Sequence, residues 1–370
     1  MATMIAPDAA ESEVRWREAS GPGTRHRVVI VAKWYERTAP GTNPRDRREK
    51  RRTCDTIAVG PASACGRFMR VRVVFNPIAG AGQSAVESRR IVAALRDAGH
   101  DASERPSEQG DGAAWLDPLL ADTTLLVVVG GDGAVRGACA AASRCSVPLY
   151  QFPCGTENLF AREMGMDRSL ATLLRSIERG RVDRVDLGEA DGEPFVLMAS
   201  LGFDARVVAD LARSRDGSIT RWSYARPLLR QLGRWQGGRM TVRVDGERID
   251  GDQPGFVVVA NCRQYGWRLN PANRATMRDG LLDAVFFPCA SRVQLVHWMV
   301  KCRLQRHLDG GRAVYRTGAK VQIEPEHAEP MQVDGDPFPG PVVRPCRPSR
   351  VEIAVRPSAL PVLMPAPERR

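Results

Sequence analysis

The stretch LLVVVGGDGAVRGACAAA, Leu125–Ala142, decides how the rest of the chain is read. Leu125 to Val129 are five consecutive apolar residues, the pattern of a strand buried on both faces. Gly130-Gly131-Asp132-Gly133 follows without a break, and Ala134 to Ala142 are small and helix-tolerant. Strand, glycine turn and helix therefore come in that order. Glycine supplies the backbone angles of so tight a turn and lets a ligand approach the main chain. The helix start offers free N–H groups and a positive dipole end, which suit a phosphate. Asp132 stands in the middle of the turn, where a carboxylate can hold a magnesium ion beside phosphates. A tight α/β connection would account for the glycines alone. An Asp flanked by three glycines favours a nucleotide site.

The pattern repeats on either side. Val71–Asn76 (VRVVFN) reads as a strand and Pro77–Gly82 as a turn. Ser84 and Glu87 have capping-box spacing, which predicts a helix from Ser84. Ile91, Leu95 and Ala98 keep one apolar face, and Gly99 ends the helix. No GK[ST] follows, so this is not a Walker loop. Pro106 to Gly112 reads as a polar loop leading to the central strand. Pro148–Phe152 (PLYQF) is a third short strand. It runs through Pro153-Cys154-Gly155-Thr156-Glu157-Asn158 into a helix, Leu159–Met164. Loops at the carboxyl ends of parallel strands converge on one crevice. Three polar, glycine-bearing loops in register thus predict one nucleotide crevice.

After a helix at Ser169–Arg179 the pattern changes. Val182–Leu187, Phe195–Leu201, Met240–Val244, Phe256–Asn261, Leu282–Phe287, Ala319–Ile323 and Val351–Val355 read as strands. Helices are predicted at Asp204–Arg213, Ile219–Trp235 and Ser291–Leu308. Many strands with few helices argue a separate β-rich domain of two packed sheets. Trp222, Tyr224, Leu228, Leu229, Leu232 and Trp235 make an apolar helix surface, read either as core or as a hydrophobic groove or membrane contact. Two acidic turns stand out, Asp279-Gly280-Leu281-Leu282-Asp283 and Val333-Asp334-Gly335-Asp336-Pro337. Each fits an ordinary Asp-Gly hairpin. A carboxylate delivered from a second domain could instead act as the base for an attacking hydroxyl.

The chain has 370 residues, enough for two domains with ample cores. No apolar run reaches membrane-spanning length, and the N-terminus lacks a signal-peptide core. Nine scattered cysteines without a CxxC pair read as reduced thiols of a cytoplasmic protein. The net charge of +11, mostly arginine, fits a nucleotide, an anionic membrane or nucleic acid, or simply a solvated basic surface. Residues 1–68 differ from the rest: Pro, Gly and Ser clusters, one short apolar piece at Val28–Trp34, and the charge run Arg45–Arg52. They are expected to be a disordered basic leader, with the working protein beginning near Met69. The basic run suits anionic head groups or nucleic acid, but a solvated tail is the plainer reading.

From about Met69 onward the chain resembles the diacylglycerol-kinase catalytic-domain family, which includes bacterial lipid kinases and sphingosine kinases. The matching pieces run in the family's order. They are Phe75-Asn76-Pro77 with Gly80, Gly130-Gly131-Asp132-Gly133, Pro153 with Gly155-Thr156 and Asn158, Ser200-Leu201-Gly202-Phe203-Asp204, Asp279–Asp283, and Val333-Asp334-Gly335. The resemblance implies a phosphofructokinase-like α/β nucleotide-binding domain (69–183), a β-sandwich-type lipid-substrate domain (184–356) with the active site in the cleft between them, and a tail (357–370) that returns to the nucleotide domain. It implies transfer of the ATP γ-phosphoryl group to a lipid hydroxyl, with Mg2+. By motif match, Asn76, Pro77, Gly80, Gly130, Gly131, Asp132, Gly133, Ala134, Val135, Arg136, Gly155, Thr156 and Asn158 would hold ATP. Ser107 matches a nucleotide-contacting threonine. Asp132 would organise magnesium, and Asp336 would be the base. A structural magnesium site matches Asp279, with backbone oxygens near Thr276 and Leu281.

Three positions depart from the family pattern. Ala134 replaces a threonine and Leu159 an aspartate. Asp336 replaces the glutamate of DGE, about 1.5 Å shorter in reach. A misplacement of about 1 Å can cost roughly 100-fold in rate. A catalytically weak member that binds nucleotide or membrane, or a NAD-kinase-like enzyme with a soluble acceptor, therefore stand as alternatives. The expected partners are a lipid substrate and the inner membrane surface, touched peripherally from the cytoplasm; nucleic acid is not expected. Oligomeric state is left open, a homodimer included.

Overall fold

The three strands read in the first part of the sequence, with one more between the first two, become one edge of a long sheet. The computed structural model describes residues 68–108, 112–213, 221–338 and 350–366. The leader expected over 1–68, with Val28–Trp34 and Arg45–Arg52, lies outside them except for Phe68, as do Ile219 and the Trp222 side chain. Strands β1 (Arg70–Phe75), β2 (Asp101–Pro106), β3 (Leu125–Gly130) and β4 (Leu149–Pro153) pair in parallel in the order β2-β1-β3-β4. Every residue of β3 and β4 is buried, as burial on both faces requires.

The flanking helices are α1 (Gln83–Asp97), α2 (Gly112–Leu120), α3 (Asp132–Arg144), α4 (Leu159–Met164) and α5 (Leu170–Arg179). Two of them depart from expectation. Left-handed Gly82 (φ +88°) starts α1 one residue early, so Ser84 is not the cap. Its buried hydroxyl instead donates to the Asn76 carbonyl and ties the helix to the loop before it. Helix α2 occupies ground where a polar loop was expected to lead straight to β3. Leu116 and Leu120 drive it, buried on one face, while Pro118 inside it hides the pattern.

The second lobe holds β5 (Val182–Ala190), β6 (Glu193–Phe195), β7 (Met198–Leu201), α6 (Phe203–Arg213), α7 (Ala225–Arg234), β8 (Met240–Val244), β9 (Glu247–Arg248), β10 (Gly255–Ala260), β11 (Leu282–Pro288), α8 (Arg292–Arg303), β12 (Val314–Gly318), β13 (Lys320–Pro325), β14 (Met331–Val333), β15 (Asp336–Pro337) and β16 (Val351–Leu363). One antiparallel sheet runs β12-β11-β10-β7-β14-β15. The other runs β16-β13-β8-β9, with β5 beside β16 and β6 beside β5, and continues the parallel sheet. Val257, Phe286 and Val333 of the first sheet share a core with Val242, Ile323 and Ile353 of the second. The chain is thus an α/β domain followed by a β-sandwich, as the sequence indicated.

The strand expected at Phe195–Leu201 is two strands in different sheets. Residues Val196 and Leu197 carry the chain from β6 in one sheet to β7 in the other. The strand expected to end at Val355 runs on to Leu363. Pro357, Ser358 and Pro361 made that segment read as a tail. The ladder accommodates them by slipping register between Arg356 and Leu360, where Ser358 takes φ +50°. The first half of β16 pairs with β13 in the sandwich. Both halves pair with β5, and Val362 in the second half pairs in parallel with Leu149 of β4. One strand therefore belongs to both lobes.

Removing residues 357–370 takes away the buried side chains of Leu360, Val362 and Leu363, each worth about 1.5–3 kcal/mol, along with the pairing. That approaches the whole stability of a typical domain, about 5–15 kcal/mol. The truncated chain is expected to lose its cooperative unfolding transition in urea. A transition within about 1 kcal/mol of the parent would show that the segment is only an appendage.

Candidate active site

The loops at the carboxyl edge of the parallel sheet touch one another directly. Asn76 follows β1, and its N–H donates to the Val129 carbonyl of β3 (3.3 Å). Ser107 follows β2, and its N–H donates to the Phe75 carbonyl (2.8 Å). Cys154 follows β4, and its N–H donates to the Gly130 carbonyl (3.0 Å). A methyl group on Gly155 would lie 2.4 Å from the Gly131 Cα and 2.9 Å from the Asn158 Oδ1. Only glycine permits that approach. Gly80 is left-handed (φ +58°), and a methyl there would meet the Cys154 carbonyl at 2.9 Å. Asn76, Pro77, Gly80, Ser107, the Gly130–Arg136 segment, Gly155, Thr156 and Asn158 therefore share one edge.

Within that edge the side chains do different things. Asp132 opens α3 and is half-buried. Its Oδ1 accepts from the Phe160 N–H (3.0 Å), and the Leu159 N–H also bonds to it. Burial pushes its carboxyl above the usual range, against those two bonds. Asp132 thus holds the first turn of α4 against the glycine turn. Asn158, left-handed at φ +50°, closes its own loop: its Oδ1 accepts from the Gly155 N–H and its Nδ2 donates to the Gly155 carbonyl, both at 2.8 Å. Thr156 is exposed at the rim. Val135 is fully buried, so only its main chain is offered to a ligand. Ala134 packs under Gly130, whose added methyl would meet it at 2.8 Å.

The second lobe reaches this edge through one turn. Asp334 is buried and left-handed (φ +50°). Its carboxylate accepts from the N–H groups of Val196 (2.7 Å), Leu197 (2.8 Å) and Met198 (2.9 Å), the residues that cross between the sheets. Burial pushes it up to about 6 despite those three bonds. Two residues on, the Asp336 Oδ2 lies 3.4 Å from the Arg136 Nη1 and 3.6 Å from where a methyl on Gly133 would sit. Arg136 also faces Glu193 at 3.7 Å. Asp132 and Asp336, far apart in sequence, flank the same glycine turn.

A cavity of about 240 Å³ opens beside them. Asp132, Thr156 and Gly335 stand at one part of its wall, and Leu159 lines it where the family pattern has a carboxylate. The rest is mostly apolar, with Phe203 and Val207 of α6, Tyr224 and Leu228 near α7, and Leu295, Trp298 and Cys302 of α8. One polar group stands within this wall. Asp204 accepts from the Ser200 hydroxyl (2.5 Å), the Tyr265 hydroxyl (2.7 Å) and the Ala205 N–H (2.9 Å), and Gln332 bridges to Ser200 (2.7 Å). Burial raises the Asp204 carboxyl. Its motif was visible in the sequence, but Tyr265 and Gln332 carry no local signal; tertiary packing alone brings them to it. The apolar face expected on the Trp222–Trp235 helix divides: Tyr224 and Leu228 line the cavity, Trp235 packs edge-on to Phe203 and Phe256, and Leu229 is exposed.

Thr276, Asp279 and Leu281 do not line this cavity. They lie on the loop before β11, where Gly280 packs near Pro357 of β16. The Asp279 Oδ1 accepts from the Leu281 N–H (3.1 Å). Asp279 raises the carboxyls of Asp186 and Asp283, for both of which burial is the larger cause. The buried Asp283 Oδ2 has no hydrogen-bond partner among the described residues. These oxygens suit a hard divalent cation, although no three acidic, histidine or cysteine side chains converge on one point among the described residues.

Comparison with known proteins agrees with this geometry. Residues 70–190 match the diacylglycerol kinase catalytic domain, and residues 198–364 match the YegS C-terminal NAD kinase beta sandwich-like domain. A Pseudomonas aeruginosa protein named "Probable lipid kinase YegS-like" is 29% identical over 291 residues, 76% of this chain and 90% of its own. A Mycobacterium tuberculosis protein named diacylglycerol kinase is 27% identical over 308 residues, 80% of this chain and 95% of its own. The crystal structure of a diacylglycerol kinase from Bacillus anthracis aligns with TM-score 0.56 at 17% identity, covering 80% of this chain and 97% of that one. A second structure from that organism gives 0.62 at 19% identity, covering 80% and 98%. At such identities the structural likeness concerns the fold.

Gly155→Ala is expected to destabilise the chain by about 1–3 kcal/mol through overpacking against Gly131, read as a lower urea midpoint. An unchanged midpoint would show that the two loops do not meet in solution.

Proposed function

We propose, on the premise that the chain belongs to the diacylglycerol kinase catalytic-domain family, that it transfers the γ-phosphoryl group of ATP to the hydroxyl of a lipid. Diacylglycerol, a sphingoid base or a related hydroxylated lipid fits the reading. The observation that carries it is the position of Asp336, which faces the glycine turn beside a cavity walled by apolar side chains. An apolar cavity of this kind suits a hydrocarbon chain and disfavours a soluble acceptor such as NAD.

The backbone N–H groups at the start of α3 would take the triphosphate, where the helix dipole adds to their pull. Gly80 and Gly155 leave room for it by carrying no side chain, and the Asn76 Oδ1 accepts from the Ile78 N–H of its own loop. Asp132 would hold magnesium, which when bound neutralises charge on the phosphates. The Asp279 loop would hold the second, structural ion. Asp336 takes the proton of the lipid hydroxyl as that oxygen bonds to the γ-phosphorus, the β–γ bridge breaks and ADP leaves. Arg136 aims Asp336 through the contact between its Nη1 and the Asp336 Oδ2. Asp204, with Tyr265 and Gln332, offers the acceptor's polar head a place to hydrogen-bond, while the hydrocarbon chain lies along the walls of the cavity. Asp334 sets the reach of the shorter Asp336 by pinning the turn that carries it.

Incubation with labelled ATP and a total lipid extract tests this reading. Label is expected in the organic phase. Label in a small soluble product, or ATP binding without transfer, would overturn it. Asp336→Asn should lower transfer by about 100- to 10,000-fold, and Asp132→Asn should abolish it while Oδ1 still holds α4. The acid limb of the pH–rate profile should lie above the ordinary carboxylate range, because Asp132 must ionise and burial opposes that. Full turnover by either variant would remove its assigned role.

A further inference from the structure

Helix α8 is apolar on both of its faces. Leu295, Trp298 and Cys302 are buried and line the cavity. On the opposite side Val293, Val296, Val300 and Leu304 are exposed, by 76%, 45%, 53% and 60%. At 3.6 residues per turn these four fall within an arc of about 80° and run for about 16 Å. A helix that only roofs a core has a polar outer face; this one does not. Helix α7 packs against α8, and its Leu229 is 67% exposed as well.

The charge on these two helices has one sign. Neither α7 (ARPLLRQLGR) nor α8 (RVQLVHWMVKCR) contains an acidic residue. Arg226 and Arg234 of α7 and Arg292, Arg303 and Arg306 at the ends of α8 have no ion pair among the described residues. An apolar stripe rimmed by unpaired arginines is the composition of a surface that sinks its aliphatic side chains into a bilayer and sets its cations among anionic head groups. A second copy of the chain fits less well, because a two-fold contact would bring these arginines against their own copies.

We infer that the α7–α8 face docks on an anionic membrane. The inner side of the same two helices walls the cavity assigned to the lipid chain, so docking here sets that cavity one helix thickness from the bilayer. The purpose given to the face rests on the lipid-kinase reading; the binding itself does not.

The test is co-sedimentation of the full chain, without ATP, with vesicles of phosphatidylglycerol and phosphatidylcholine in equal parts, against phosphatidylcholine alone. The parent should pellet with the anionic vesicles, less so at high salt. Val296→Glu with Val300→Glu should weaken that partition at least tenfold, and Arg303→Glu with Arg306→Glu should weaken it through charge alone. Neither pair lines the cavity, so each should keep the parent's unfolding midpoint and its phosphorylation of a short-chain acceptor dispersed in detergent. Equal pelleting of parent and variants would overturn the inference, as would a concentration-dependent dimer that the valine changes abolish. Vesicle binding without any transfer to the detergent-dispersed lipid would leave the docking face standing and remove the kinase reading instead.

Discussion

No side chain can stand between Gly131 and Gly155, and the site is organised around that fact. Their backbones come so close that a methyl on Gly155 would lie 2.4 Å from the Gly131 Cα. This approach joins the turn after β3 to the turn after β4. Asp132 and Asn158 then fasten the pair with hydrogen bonds to main-chain groups. The result is a rigid edge of helix starts and exposed backbone, the kind of surface that holds phosphates without needing many charged side chains.

The second constraint is the route of the chain between the sheets. Leaving β6 in one sheet and entering β7 in the other exposes three consecutive N–H groups to the interior. Asp334 satisfies all of them, which is why a carboxylate is tolerated where burial pushes it up to about 6. The same turn delivers Asp336 to Arg136. A folding requirement and a chemical one are met by a single tight turn. Strand β16 supports it from the other side by pairing with elements of both lobes.

Much of this was legible in the sequence, because strand, glycine turn and helix are local patterns. The Leu125–Ala142 stretch, the turns at Gly80 and Gly155 and the alternation of strands in the second lobe each carry their own signal. The failures have physical causes. Ser84 has capping spacing, but Gly82 starts the helix earlier. Pro118 disguises α2, and Pro357 and Pro361 disguise the far half of β16. Phe195–Leu201 is apolar except for Ser200, so nothing in it marks the crossing between sheets. Asp334 was visible as part of an acidic turn, yet its partners lie more than a hundred residues away. Asp204 stood in a visible motif, but its partners Tyr265 and Gln332 could not be read, since only tertiary packing brings them to it.

The claim on which the account rests is that one triphosphate meets the loops of the first lobe and the acid of the second at the same time. A crystal structure with a non-hydrolysable ATP analogue tests it most directly. The account predicts the phosphates within hydrogen-bond distance of the Gly131–Gly133 main chain, with the terminal phosphate facing Asp336 across the mouth of the apolar cavity. An analogue bound elsewhere, or a terminal phosphate turned away from Asp336, would contradict it.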